Sequence, residues 1–194
     1  GIPRYYSCRA ENGFLPDPEE IERMIGPKTR ALVLINPNNP TGASYPKPLL
    51  EKLVAIAAKY RLLLMADEIY DGILYDDNTF QPLAPLAGDV PCLTFSGLSK
   101  VHRACGWRVG WAVLSGDPLR TGDYHHALDL LGALRLCANV PGQFAIEAAL
   151  KGGDTITELT APGGRLHASR QAVLDAVAKS DFLSVVAPQG ALYA

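Results

Sequence analysis

Three polar residues follow three short apolar runs: Asn39 comes after Ala31–Ile35, Asp67 after residues 62–66, and Lys100 after residues 92–95. Lys100 lies in a small Gly/Ser-rich turn within SGLSKVHRACGWRVG (residues 96–110), and Arg108 follows it in the same stretch. Each has a plain reading when taken alone. Asn36-Pro37-Asn38-Asn39-Pro40-Thr41-Gly42 is rich in the usual turn formers. Asp67-Glu68 can be a solvated pair leaving a strand, and most lysines are surface lysines. Together, an amide, a carboxylate and an amine at successive strand exits, with a guanidinium in the turn after the amine, are the set that a pyridoxal phosphate site needs.

Such a set requires elements that bring strand exits side by side. Ala31–Ile35 is a continuous apolar run that ends at Asn36-Pro37, and it reads as a strand covered on both faces. Residues 62–66, 92–95 and 109–114 read as the second, third and fourth strands. Asp17-Pro18-Glu19-Glu20 is a helix start, with Asp as N-cap, Pro at the first position and Glu closing a capping box. Residues 46–60 carry Leu49, Leu50, Leu53, Val54, Ala57 and Ala58 at helical spacing. Further helices are expected from Asp117-Pro118 towards Arg135, over Val140–Lys151, and over residues 163–180; residues 182–186 begin a new strand pattern. This order argues for an α/β, three-layer α/β/α architecture with a mainly parallel sheet. In such sheets ligands sit beyond the carboxyl ends of the strands.

The 194 residues are 48% hydrophobic and 20% charged, with a net charge of −2, which gives no electrostatic case for nucleic acid or an anionic membrane as partner. No apolar run is long enough to span a bilayer. The four cysteines are scattered without a CxxC pair, so a reduced, cytoplasmic setting is expected. His102, His125, His126 and His167 show no metal-ligand spacing, and no metal is expected.

The motifs NPNNPTG, ADEIY and GLSK…GWRVGW resemble those of the pyridoxal-phosphate aminotransferases of fold type I, class I. The stretches LRLCANVP (residues 134–141), APGGRL (161–166) and GALY (190–193) are similar to the bacterial alanine (glutamate–pyruvate) aminotransferase group. The resemblance covers nearly the whole chain. It implies transamination between alanine or glutamate and a 2-oxo acid, a place in amino-acid metabolism, and a homodimer in the full-length protein. Other fold-type-I chemistries, a C–S lyase or a decarboxylase, share the same core, because a fold does not set the reaction. A non-catalytic fragment or a regulator domain is the alternative from a different class.

By the same resemblance, Lys100 would form the Schiff base with the cofactor aldehyde and later shuttle the proton at the substrate Cα. Asp67 would pair with the pyridine nitrogen and keep it protonated. Tyr70 and Asn39 would donate to the phenolic oxygen, and Arg108 would hold the phosphate with its planar fork. Many relatives carry a phosphate-binding serine three positions before the lysine, where this chain has Gly97. Ser99 or Ser96 with backbone N–H groups could replace it, and a small residue that lets the turn pack tightly is the alternative reading of Ser99. At the position where aspartate-type relatives read a side-chain carboxylate with an arginine from the neighbouring subunit, this chain places Leu134, or Arg135 after a one-residue slip. That leans towards a small or mixed amino donor.

The chain opens at Gly1 and stops just after GALY, and both ends look cut. Family members are longer, so the expectation is a central piece whose isolated activity is in question. Residues 1–162 would belong to the cofactor-binding large domain, 163–180 would be an interdomain helix, and 181–194 would begin a small C-terminal α+β domain.

Overall fold

The computed structural model describes residues 1–194. Four strands, β1 (Ala31–Ile35), β2 (Leu63–Asp67), β3 (Cys92–Gly97) and β4 (Gly110–Ser115), form one sheet in the order β1-β2-β3-β4. The β1/β2 and β2/β3 pairs are parallel and β3/β4 is antiparallel, so the sheet is mixed with a parallel majority. The seven α-helices are α1 (Pro18–Met24), α2 (Lys47–Tyr60), α3 (Leu83–Ala87), α4 (Pro118–Arg135), α5 (Val140–Lys151), α6 (Thr157–Thr160) and α7 (Arg165–Val177).

The period-2 pattern of the strands selects the core. Leu32 and Leu34 of β1, Leu64 and Ala66 of β2, and Cys92 of β3 are buried in one cluster with Ile21, Leu50, Leu53, Ala57, Leu83 and Ala87. Helices α1, α2 and α3 therefore cover one face. The other face is only partly covered: Val33, between the core residues Leu32 and Leu34, is 48% exposed. The second helical layer is thin, since neither α4 nor α7 buries any residue. Leu131, Leu134 and Phe144 on α4 and α5 are all exposed. A smaller cluster of Tyr70, Ile73, Tyr75, Ile156 and Ala191 lies at the strand exits.

Two expectations are corrected. The capping box of α1 does not form: Asp17 accepts the Glu19 N–H at 2.9 Å, but Glu20 is used elsewhere, accepting both the N–H and the hydroxyl of Ser7. Residues 182–186 are not a strand. Phe182 and Leu183 are exposed and no neighbouring strand edge pairs with them. The last residues add no strand to the sheet; they form one isolated bridge, from Gly190 to Leu74, and hydrogen bonds to the loops at the strand exits.

Candidate active site

The ends of β1, β2 and β3 open on the same edge because the three strands run parallel. Asp67 is the last residue of β2, paired with Ile35 on one side and Phe95 on the other. Its carbonyl accepts the Asn36 N–H at 3.0 Å, and the next amide, Glu68 N–H, donates to Phe95 O at 3.0 Å. The sheet ladder thus holds the Asp67 backbone on both sides. Its Oδ1 accepts the Ile69 N–H at 3.2 Å, leaving Oδ2 for another donor.

The three asparagines of NPNNPTG divide their labour. Buried Asn36 accepts the Tyr45 N–H at 2.8 Å, and buried Asn38 accepts the Thr41 hydroxyl at 2.8 Å while donating to the Tyr45 hydroxyl at 3.1 Å. Both are spent on closing the loop. Asn39 is exposed, and its side chain is near enough to Tyr70 to favour the charged form of that phenol.

Tyr70 is the centre of the group. It is 2% exposed, the Lys100 ammonium lies 5.6 Å from its ring centroid, and its hydroxyl is 2.7 Å from that of Tyr193. Burial pushes its phenol above the ordinary value; the Tyr193 hydroxyl and the nearby Asp67 act in the same direction, and the nearby Asn39 amide opposes them. Lys100 occupies a closed turn in which Arg103 N–H donates to Lys100 O at 3.0 Å and Ala104 N–H to Leu98 O at 2.9 Å. Buried Leu98 anchors that turn.

Lys100, Tyr70, Asn39 and Asp67 are thus brought together. Ser99 lies half-buried beside Lys100 in the turn. Arg108 is exposed with a left-handed backbone, and its guanidinium donates to Cys105 O at 2.7 Å, within its own turn. Leu134 and Arg135 are exposed at the end of α4, with Arg135 donating to Cys137 O at 2.9 Å.

Gly97 pairs directly with Gly110 across β3 and β4. A Cβ at Gly97 would meet Val109 O at 2.8 Å and Gly110 Cα at 2.9 Å, distances that real side chains do not adopt. The close approach of β4 therefore requires a glycine here. The extra length of β3 beyond residue 95 has the same origin, because β4 pairs with it as far as Gly97.

Two residues escaped sequence reasoning. Glu68 is buried, accepts the Leu83 N–H at 2.8 Å, and has its carboxyl pushed up to about 7 by burial. The alternation Leu64, Ala66, Glu68 along β2 was the available signal, since it puts Glu68 on the core side. Tyr193 had no local signal, because its partner is far away in the chain.

The arrangement presents an amine, a buried phenol, an amide and a carboxylate at one strand edge. It suits binding and proton transfer on a flat, polar cofactor. The whole chain, residues 1–194, matches the family model for aminotransferase class I and II. It is 47% identical over 189 residues to the glutamate-pyruvate aminotransferase AlaA of Escherichia coli (strain K12), covering 97% of this chain and 47% of that protein. It is 46% identical over 194 residues to an alanine aminotransferase of Mycobacterium tuberculosis, covering 100% of this chain and 45% of the relative. A crystal structure of an aminotransferase from Escherichia coli superposes with a TM-score of 0.93 at 46% identity, over 96% of this chain and 46% of that one. The chain spans about half the length of the curated relatives it matches.

Proposed function

Because the chain belongs to the class I and II aminotransferase family, we propose that its protein moves an amino group between alanine or glutamate and a 2-oxo acid, pyruvate or 2-oxoglutarate. The observation that carries this reading is the meeting of the Lys100 amine with the Tyr70 ring at the exits of parallel strands. Relatives named for alanine and for glutamate–pyruvate transfer support the choice of substrates.

The residues present fit pyridoxal phosphate. Asp67 has a free carboxylate oxygen, Asn39 is the one asparagine of its loop not spent on that loop, and Lys100 stands beside a buried phenol. When bound, the cofactor supplies an electron sink for negative charge developing at the amino-acid Cα. Lys100 is assigned to anchor the cofactor carbonyl carbon and, once released, to carry the Cα proton. Asp67 holds a proton on the ring nitrogen, Tyr70 and Asn39 donate to the phenolic oxygen, and Arg108 binds the phosphate with Ser99 as an auxiliary donor. Reaching the phosphate would require the Arg108 fork to leave Cys105 O, a solvent-exposed bond that costs little to exchange.

Residues 1–162 form the cofactor-binding part on this reading, α7 the connection, and 181–194 the start of a second domain. The exposed apolar side chains of α4 and α5 support a homodimer. No helix is long and apolar enough to cross a membrane. Four unpaired cysteines agree with a reducing cytoplasm.

The test is spectroscopic. Adding pyridoxal phosphate to the full-length protein should give a visible absorbance band that Lys100→Ala abolishes and the exposed control Lys179→Ala retains. An unchanged band in Lys100→Ala would sink the reading. Half-reactions with alanine and with a cystathionine-like donor then separate transamination from C–S cleavage.

A further inference from the structure

Residues 188–193 lie across the strand exits as a strap. The N–H groups of Gln189 and Gly190 both donate to Gly42 O, at 2.8 and 2.9 Å, and Ser44 N–H donates to Gln189 Oε1 at 3.1 Å. On the other side, Tyr75 N–H donates to Gln189 O at 3.0 Å, Ala191 N–H to Ile73 O at 2.9 Å, and the Tyr75 hydroxyl to Ala191 O at 3.0 Å. The approach is close enough that a Cβ at Gly190 would come within 2.8 Å of Pro37 Cβ and 2.9 Å of Ile73 O. From α7, Arg170 donates to Pro188 O at 2.8 Å and to Asp76 Oδ2 at 2.9 Å. The strap therefore ties the loop carrying Asn39 to the turn carrying Tyr70. It delivers the Tyr193 hydroxyl to 2.7 Å from the Tyr70 hydroxyl, with the rings edge to face at 5.8 Å.

We propose that Tyr193 is a positioning residue whose hydroxyl donates to the Tyr70 oxygen and turns the Tyr70 O–H towards the cofactor's phenolic oxygen. The inference rests on the cofactor reading above and deepens it. Two hydroxyls in contact share one bond, so one must donate and the other accept. With Tyr193 donating, an accepting position of the Tyr70 oxygen is filled and its own proton is left for an outside acceptor. A hydroxyl that accepts bonds while it donates is the stronger donor. Tyr193 thereby strengthens the bond from Tyr70 to the phenolic oxygen and lowers proton affinity at the nitrogen that the cofactor would share with Lys100.

The sign of one spectral titration decides it. In the full-length protein loaded with pyridoxal phosphate, the pH at which the visible band gives way to its shorter-wavelength form reports proton loss at that nitrogen. Tyr193→Phe removes one hydroxyl and keeps the ring, and it should move this pH upward by about half a unit, about threefold tighter proton binding. Tyr70→Phe should move it further, and the double variant no further than Tyr70→Phe alone. An unmoved or lowered midpoint in Tyr193→Phe means that Tyr70 donates to Tyr193 or that the pair is only packing, and overturns the proposal. So does full additivity in the double variant. A midpoint insensitive to Tyr70→Phe, or a band indifferent to Lys100→Ala, overturns the cofactor reading itself and the inference with it.

Discussion

The carboxylate of Glu68 accepts the Leu83 N–H at 2.8 Å, so a buried acid fifteen residues away caps the start of α3. The residue at the cap position, Pro82, offers no side-chain acceptor of its own. Asp67, next to Glu68 in the chain, ends β2 on the opposite side of the pleat. Two adjacent acids therefore serve the core and the site separately.

Glu68 makes stability depend on pH. Burial raises its carboxyl from 4.5 to about 7, so between these values the folded chain holds a proton that the unfolded chain has lost. Stability must then fall as pH rises through that window, and the loss is complete above about 7. Glu68→Gln keeps an acceptor for Leu83 and removes the charge. It should gain about 2–3 kcal/mol over the parent between pH 4.5 and pH 8. Urea unfolding midpoints of the two proteins at both pH values check this; parallel changes would contradict it.

The division of labour among the loop asparagines separates folding from binding. Asn36→Ala leaves the buried Tyr45 N–H without a partner and should cost about 1–3 kcal/mol. Asn39→Ala removes an exposed side chain and should leave the melting temperature unchanged while weakening pyridoxal phosphate binding by about tenfold, a loss of about 1.4 kcal/mol. Thermal melts and cofactor titrations of both variants give the comparison.

Gly97→Ser would restore the residue that many relatives carry, yet it should harm this chain. The new Cβ would overlap Val109 O and Gly110 Cα, both backbone atoms that cannot move without disturbing the β3/β4 pairing. A destabilisation of about 1–3 kcal/mol is expected. Denaturant unfolding measures it, and a neutral result would mean that β4 can yield.

Apolar runs bounded by Asn-Pro and by Asp-Pro were enough to place β1, β2, α1, α2, α4 and α5 within a residue or two, because burial period and helix starts are local properties. The polar groups at the strand exits were legible for the same reason: three parallel strands put their ends on one edge whatever their tilt. Residues 182–186 show the limit, since a strand-like pattern needs a partner edge and none is near. Glu68 and Tyr193 show it again. The environment of Glu68 depends on where α3 docks, and that of Tyr193 on a strap pinned by Gly42, Tyr75 and Arg170. Sequence alone determined which chemical groups this protein can bring to an edge. Only the tertiary structure decided which of them touch, because a hydrogen bond between residues 123 positions apart is set by the docking of whole elements and leaves no trace in local spacing.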